Sequence, residues 1–371
     1  MTVVFKPNSF PPLLEWTPEL VRDLSEADRA IGRLAGEGSQ WPNPHLLTQA
    51  FVRREAVDSS RIEGTQTTLE ELLVAEAGGR VESSSADLQE VENYVAALEY
   101  GIDRLGSLPL SLRLVRELHA LLMRGVRGEQ SKPGEFRRSQ NWIGSSGCTL
   151  EQATYVPPSV PEMLEALDRW ERFLHDTKLP PLVQIGLAHC QFEAIHPYLD
   201  GNGRIGRLLV TLFLVERGIL QTPLLYLSGF FEATRSDYYG RLLAVSESGD
   251  WQGWLRYFLV AVTRQSDDAL DRVGRIHDLL RGWRSAVAGQ SSRVPAALVG
   301  LLGDSPFWTI TRVAERLGVA YTTAQRAVEG LERESILQQI GDGRRDRVFC
   351  ARAILDILEE PADLGSPAGS G

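Results

Sequence analysis

The segment His196–Arg207 reads HPYLDGNGRIGR and brings a histidine, an aspartate, two glycines and two arginines together within twelve residues. A packed apolar core does not need this mixture of a base, an acid, bare backbone and two cations. A site for a phosphorylated ligand does, because phosphate groups are bound by cations and by backbone amides. The segment therefore predicts chemistry on a phosphorylated ligand.

The run Gly201–Asn202–Gly203 lies where one predicted helix ends and the next begins. Glycine lets the backbone approach a ligand closely and accepts positive φ. The first amides of a helix lack intrahelical partners and carry its positive dipole end, so they form an anion site. Arg204 and Arg207 are three residues apart and share one helix face, from which two guanidinium groups can hold a chain of phosphates.

Two acid–base candidates flank this predicted anion site. Asp200 offers a hard oxygen ligand suited to Mg²⁺ carried on phosphates. His196 precedes Pro197 at the predicted end of the preceding helix, and the near-neutral pKa of an ordinary imidazole suits a general base. A turn, a structural histidine and a solvated arginine pair are each common, but their coincidence is not. His189 has no third ligand at metal spacing, so we interpret it as a core or supporting histidine.

The same segment resembles the signature of the Fic family, His-Pro-Phe-x-Asp/Glu-Gly-Asn-Gly-Arg-x-x-Arg. Every polar position matches, and Tyr198 replaces the commoner Phe at an apolar position. The resemblance extends from the N-terminal helices to about residue 285. It implies a helical core, with ATP and Mg²⁺ as ligands. It also implies transfer of AMP to a Ser, Thr or Tyr hydroxyl of a target protein, with release of pyrophosphate. The protein could also modify itself in this way.

The resemblance also assigns roles to individual residues. His196 would deprotonate the target hydroxyl, and Asp200 would hold Mg²⁺. Gly201, Asn202 and Gly203 would bind the α- and β-phosphates. Arg204 and Arg207 would bind the β- and γ-phosphates, respectively. In line with these assignments, phosphoryl-type transfer depends mostly on positioning and charge neutralisation.

A second motif, SSRIEG, runs from Ser59 to Gly64. Glu63 falls at a predicted helix C-terminus, where the dipole disfavours an anion, and Ser59 shares its face. Gly64 stands where helices often end in a left-handed residue. One interpretation is a solvated glutamate before a capping glycine. The stretch also resembles the Fic inhibitory motif, which implies that Glu63 pairs with Arg207 and blocks the γ-phosphate; in some relatives this glutamate also helps to remove AMP.

Two further features are assigned by the resemblance. Residues Ile143–Val156, with Gly147 near the turn, are predicted to form a β-hairpin flap that aligns an extended target segment by strand addition. The alternative is an ordinary surface hairpin. Tyr238 and Tyr239 stand where similar proteins contact adenine or shape its pocket, but two tyrosines could equally serve packing.

Helical spacing of apolar residues dominates the chain and predicts a mainly α fold. Predicted helices cover about 45–63, 87–105, 110–124, 161–175, 181–195 and 203–217, and Thr68 with Glu71 has capping-box spacing. With the resemblance, four parts are expected. These are an N-terminal helical region (1–105) containing an inhibitory helix at about 45–64, a Fic catalytic core (106–287), a winged helix-turn-helix domain (294–360) and a disordered tail (361–371).

The C-terminal part is predicted to contain a helix, a turn at Gly318, a second helix and a β-wing that turns at Gly341–Gly343. Residues 293–352 hold nine Arg and seven Asp or Glu, about +2, against −10 for the whole chain. Weak DNA binding through Arg344, Arg345 and Arg347 on the wing is one prediction. A module for protein contact or dimerisation is the alternative.

Composition narrows the function class. The 371 residues are 43% hydrophobic and 24% charged, as in ordinary globular proteins, and the net charge of −10 argues against coating nucleic acid or an anionic membrane. Three scattered cysteines and the absence of a signal-peptide pattern predict a cytoplasmic protein. Homodimerisation is implied by the resemblance alone. Two alternatives to AMP transfer remain: the same fold with another nucleotide donor, and a nucleotide-sensing transcription regulator.

Overall fold

The computed structural model describes residues 10–38, 44–79, 81, 84–126, 132–145, 147–221, 223–290, 292–341 and 347–364. These residues form mainly helices, as predicted, with one small antiparallel sheet. The first helices are α1 (Pro18–Gly38), α2 (Pro44–Ile62), α3 (Leu69–Glu76), α4 (Ser85–Leu105), α5 (Leu112–Leu122), α6 (Val160–Leu174), α7 (Pro181–Ile195), α8 (Asn202–Glu216), α9 (Ser228–Ala233), α10 (Arg235–Ser248) and α11 (Trp251–Val287). They are followed by α12 (Val294–Leu301), β1 (Phe307–Thr309), α13 (Ile310–Leu317), α14 (Tyr321–Arg333), β2 (Gln338–Ile340), β3 (Val348–Cys350) and α15 (Arg352–Glu359).

Helix α7 lies at the centre of the molecule because it is apolar on every side. All but two of its fifteen residues are buried, and such a helix must be enclosed by others. It packs against α6, α8, α10 and α11, while α8 also contacts α2, α4 and α5. Its bounds are those that the apolar pattern predicts. The packing places the start of α8 inside a ring of helices.

The turn between α7 and α8 uses two residues in the left-handed region. His196 (φ 49°) ends α7 before Pro197, and Gly201 (φ 76°) is the N-cap of α8. Proline cannot continue the helix, and glycine takes positive φ without steric cost. Helix α8 begins at Asn202, one residue before its predicted start. The turn therefore places His196 beside the first turn of α8.

Helix α2 ends as its sequence predicts. It stops at Ile62, and Gly64 has φ 101°. The predicted capping box is present, since the Thr68 hydroxyl accepts from the Glu71 amide at 3.1 Å and the Glu71 carboxylate accepts from the Thr68 amide at 2.9 Å. Helix α2 packs against α4, α8 and α9, and this fixes where its last turn meets α8.

The predicted hairpin at Ile143–Val156 is only partly formed. Among its described residues, Ile143 pairs with Tyr155 in a single antiparallel bridge. Between them, Thr149 caps a short 3-10 helix, Leu150–Gln152, and a 3-10 turn cannot contribute to a strand ladder. The expectation of a regular hairpin is thus wrong in extent. The described residues of the segment have one strand-like pair at the base and a 3-10 turn between its ends.

The C-terminal elements form a small sheet with three helices before and between its strands. Strand β3 lies between β1 and β2, with Phe307 opposite Cys350 and Ile340 opposite Val348. Gly318 (φ 64°) ends α13, as predicted for the turn between the two helices. Gly343, Arg344 and Arg345 lie outside the described residues, as do residues 365–371 of the predicted tail. The winged helix-turn-helix assignment stays a prediction.

The C-terminal segment is fastened to the helical core by arginines of α2 and α11. Arg272 on α11 holds both carboxylate oxygens of Asp268 at 2.8 and 2.9 Å and donates to the carbonyls of Ile357, Glu360 and Pro361. Arg54 on α2 also donates to the Glu360 carbonyl, at 3.2 Å. The segment after α15 is therefore held by both α2 and α11. Among the described residues, no helix is long and apolar enough to span a bilayer.

Replacing Arg272 by methionine should destabilise the whole protein. The side chains of Arg272 and Asp268 are 2% and 8% exposed, and removing one partner of a buried pair costs about 3 kcal/mol or more. Urea unfolding measures the loss. Arg281→Met on the same helix is the matched control, because Arg281 is exposed, and it should change stability by less than about 0.5 kcal/mol. Equal effects would mean that Arg272 holds nothing essential.

Candidate active site

Arg207 is the buried cation around which the site is arranged. On the second turn of α8, its guanidinium donates to the Ser59 hydroxyl (2.8 Å), the Ser59 carbonyl (2.9 Å) and Glu63 Oε1 (2.8 Å). All three acceptors belong to the end of α2. The Arg207 side chain is 2% exposed and that of Glu63 is 34% exposed. The structure thus brings Ser59, Glu63 and Arg207 together, with the carboxylate on the accessible side.

The charges of this pair stabilise each other. Burial alone would raise the pKa of Glu63, but the charge and hydrogen bond of Arg207 outweigh it and leave the pKa lowered. Burial would lower the pKa of Arg207, but the neighbouring Glu63 charge leaves it raised. The pair is therefore ionised at neutral pH.

Gly203 makes room for the carboxylate. A Cβ built at this position would overlap Glu63 Oε1 and lie 2.8 Å from Arg207 Nη1. Only a residue without a side chain lets the carboxylate rest on the first turn of α8, near the unpaired amides and the positive dipole end. Glu63 thus occupies the position in which the sequence predicts a phosphate.

Asn202 fixes the turn with its side chain. Its Oδ1 accepts from the Tyr198 amide at 2.8 Å and its Nδ2 donates to the Tyr198 carbonyl at 2.9 Å. Only its backbone amide is left for a ligand. The Tyr198 ring stacks on His119 at 3.6 Å with an interplanar angle of 4°. His119 in turn accepts from the Gly134 amide and pairs with the Asp200 carbonyl at 3.1 Å.

Arg204 is held by an acid that sequence reasoning missed. Its Nη1 lies 3.3 Å from Glu90 Oε2 on α4, its Nη2 lies 3.6 Å from Asp200 Oδ1, and its side chain is 4% exposed. Glu90 also accepts from the Thr65 hydroxyl at 3.1 Å. The available signal was weak: an acid at the buried face of a helix requires a cation from elsewhere.

The geometry of His196 leaves one ring nitrogen available as a base. Nδ1 lies 3.3 Å from the Glu193 carbonyl, which only accepts, so Nδ1 carries the proton and Nε2 keeps its lone pair. Burial lowers the pKa of His196 to about 4, although the Glu193 carbonyl opposes that shift, so the imidazole is neutral. Arg137 and Asn141, missed by sequence reasoning, donate to the His196 carbonyl at 3.1 and 3.4 Å and support the left-handed residue.

Asp200 stands at the open edge of the site. Its Oδ1 accepts from the Gly201 amide at 2.6 Å, and its side chain is 49% exposed. Among the described residues, no group of three or more His, Cys, Asp or Glu side chains could hold a metal ion. Mg²⁺ commonly binds one or two carboxylates together with waters and substrate phosphates. A single exposed carboxylate fits a metal that arrives with a nucleotide.

Tyr238 and Tyr239 differ in their surroundings. Tyr238 is fully buried, its ring stacks on Phe231 at 4.6 Å, and its hydroxyl lies 2.9 Å from His189 Nε2. His189 Nδ1 donates to the Gly206 carbonyl at 3.0 Å, which confirms a supporting histidine in the core. The Tyr238 ring has no exposed surface in this conformation, which favours packing beneath the site over direct contact with adenine. Tyr239 is 43% exposed and can meet a ligand.

These contacts define a class of helical domain. Two buried arginines lie at the N-terminus of a helix, and a carboxylate that follows another helix rests against that N-terminus. The models of two families match, "Fic/DOC family N-terminal" over residues 21–103 and "Fic/DOC family" over 109–214, together just over half of the chain. The chain belongs to the Fic/DOC family.

Relatives share this family at modest identity. "Protein adenylyltransferase Fic" of Drosophila virilis is 30% identical over 202 residues, which is 53% of this chain and 38% of that protein. The Drosophila persimilis protein of that name is 29% identical over 254 residues, 65% of this chain and 46% of that protein. The chain thus spans less than half the length of these two relatives.

Solved structures show the fold. A Fic family protein from Desulfovibrio desulfuricans G20 superposes with a TM-score of 0.62 at 22% identity, covering 92% of this chain and 98% of that one. Fic-1 from C. elegans gives a TM-score of 0.55 at 21% identity, covering 70% and 75%. The first similarity extends over most of the chain.

Removing the Tyr238 hydroxyl should lower the free energy of unfolding, because this hydroxyl supports His189 in the core beneath the site. Tyr238→Phe leaves His189 Nε2 buried without a donor, at a cost of about 1 to 3 kcal/mol. Tyr239→Phe is the matched control at the adjacent, exposed ring, and it should leave the free energy of unfolding within about 0.5 kcal/mol. Chemical denaturation compares the two. A Tyr238→Phe protein as stable as wild type would show that the His189 contact contributes nothing.

Proposed function

We propose that the protein transfers AMP from ATP to a Ser, Thr or Tyr hydroxyl of a target protein, and that Glu63 inhibits this transfer. The observation that carries the proposal is the Glu63–Arg207 pair at 2.8 Å on the first turns of α8. A carboxylate there occupies the place that the family motif reserves for a phosphate. The relatives named protein adenylyltransferase Fic support the reaction class.

The reaction needs a base, a cradle for phosphates and a leaving group. His196 Nε2 takes the proton of the target hydroxyl, because Nδ1 is already committed to the Glu193 carbonyl. The hydroxyl oxygen bonds to the α-phosphorus, the bond from that phosphorus to the bridging oxygen breaks, and pyrophosphate leaves. This chain contributes positioning and charge, which dominate such transfers.

Phosphate binding falls to the start of α8. The backbone amides of Asn202 and Gly203 face the α- and β-phosphates, while the Gly201 amide holds the Asp200 carboxylate beside them. Arg204 neutralises the β-phosphate, and Arg207 binds the γ-phosphate. The binding of Arg207 requires Glu63 to leave, since both anions need the same guanidinium. Glu63 is the more exposed partner of the pair, so it can swing outward while Arg207 stays in place.

Mg²⁺ would be held by Asp200, whose exposed carboxylate fits the single protein ligand that a nucleotide-borne metal needs. When bound, the metal neutralises charge on the phosphates and on the leaving pyrophosphate. The Asp200 position is set by the protein itself, through the Gly201 amide and the Arg204 guanidinium.

The loop that precedes α6 is suited to hold the target. Trp142 and Ile143 are 42% and 40% exposed, and Ile143 begins the only strand-like pair described in this loop. Exposed apolar side chains next to a partly formed strand pair favour addition of an extended peptide. Asn141, immediately before them, contacts the His196 carbonyl and so links the loop to the base.

Replacing His196 by alanine should abolish transfer. We expect labelling of protein by ATP radiolabelled at the α-phosphate to fall about 100-fold or more, the range for loss of a general base. ATP affinity should remain close to that of the parent, because the imidazole acts on the hydroxyl. Labelling is best measured in the Glu63→Gly protein, where the signal is largest. Unchanged labelling would remove His196 from the mechanism.

Replacing Glu63 by glycine should increase labelling roughly ten- to hundredfold, because it frees Arg207 for the γ-phosphate. The gain should disappear in the Glu63→Gly, Arg207→Ala protein. Arg61→Gly is the matched control: it introduces glycine at the same helix end but leaves the Arg207 pair intact. Equal incorporation by folded wild type and Glu63→Gly would reduce SSRIEG to a capped helix end.

A further inference from the structure

Two glycines one turn apart on α8 each receive a carboxylate. Gly203 faces Glu63 from α2, and Gly206 faces Glu193 from α7, whose Oε1 would overlap a Cβ built on Gly206. The motif thus makes room for two acids on one helix face. Neither the proposed base nor the proposed phosphate ligands account for the second one.

Glu193 Oε1 is buried without a hydrogen-bond partner among the described residues. Buried carboxylate oxygens are nearly always partnered, so an exception calls for an explanation. The hydrogen bonds of the nearby Arg207 go to Ser59 and Glu63. The titratable groups that act on Glu193 or line its surroundings are Arg207, Glu63, Tyr238, His189, Cys190 and His196.

The surroundings of Glu193 place its titration in the neutral range. Burial raises its pKa, Arg207 opposes that shift and the charge of Glu63 adds to it, which brings the pKa to about 7. Small changes in local charge therefore change the protonation of Glu193 at physiological pH. A nucleotide in this site is such a change.

We propose that Glu193 is a positioning residue for Arg207. When the site is empty, Glu193 is ionised and acts as the second counter-ion of Arg207. When a polyphosphate takes the place of Glu63, Glu193 takes up a proton from solvent. This inference rests on the proposed function. Exchanging one carboxylate charge for several phosphate charges beside Glu193 disfavours its anion. The protonated carboxyl group fills the same space between α7 and α8 and no longer competes with the phosphate for the charge of Arg207. Its protonation also removes a negative charge that would repel the phosphate.

The proposal fixes the sign of a pH dependence. Because the polyphosphate raises the pKa of Glu193, the complex binds more protons than the free protein. Affinity should therefore fall as pH rises through and above about 7, by at most about tenfold per pH unit. A glutamine at this position imitates the protonated acid at every pH.

The test uses the full-length Glu63→Gly protein and an ATP analogue with a methylene bridge between the α- and β-phosphorus, which cannot be cleaved there. Calorimetric titration with Mg²⁺ at pH 7.5, in two buffers of different ionisation enthalpy, counts the protons taken up. We expect net uptake of protons when the Glu63→Gly protein binds the analogue and a smaller uptake when it binds AMP. In the Glu63→Gly, Glu193→Gln protein, the proton uptake with the two ligands should no longer differ. The glutamine variant should gain affinity relative to its parent as the pH is raised to 8.5.

Three outcomes are decisive. Identical proton counts and pH slopes for the parent and the glutamine variant would overturn the role of Glu193 while leaving AMP transfer intact. No binding of the analogue by the folded Glu63→Gly protein would overturn the proposed function and this inference together. If the glutamine variant does not fold, equal proton uptake with AMP and with the analogue in the parent would still refute the proposal. In that case Glu193→Asp serves as the second variant and should retain the proton uptake.

Discussion

The fold depends on how a buried guanidinium is kept neutralised. Arg207 lies among the central helices, where an unpaired charge costs several kcal/mol. The chain meets this requirement with its own carboxylate, that of Glu63 just after the end of α2, 144 residues earlier in sequence. An arginine that is stabilised by an anion in this way can exchange one anion for another. Under the proposed function, inhibition and nucleotide binding are two ways to neutralise the same guanidinium.

The remaining polar contacts of the site hold backbone in place. Asn202 secures the Tyr198 peptide, His119 supports the Asp200 carbonyl, and Arg137 holds the carbonyl of His196. Each of them stabilises a turn that contains left-handed residues. Apolar packing of α7 and α8 supplies the rigid base, and the buried hydrogen bonds specify the shape of the turn. The side chains proposed to act on a ligand are few and rest on this framework.

Much of this arrangement could be predicted from local sequence. The bounds of α7, the left-handed Gly64 and the Thr68–Glu71 capping box depend on neighbours within a few residues, and all agree with the structure. The contacts of Arg204 with Glu90, 114 residues earlier, and of Arg137 with His196 depend on packing that no local pattern specifies. The sequence overestimates the extent of the Ile143–Val156 hairpin, because its pattern does not show that Thr149 starts a 3-10 turn.

The bond between Arg54 and the Glu360 carbonyl joins residues 306 positions apart. Contacts of such separation form late, because a long loop must close before they can stabilise anything. On the ribosome, the HPYLDGNGRIGR segment emerges long before the residues that fasten the outer side of α2. For that period the nascent chain carries the proposed phosphate-binding turn, while α2, which ends just before Glu63, lacks part of its support. Completion of the C-terminal segment thus sets the time at which α2 reaches its full stability.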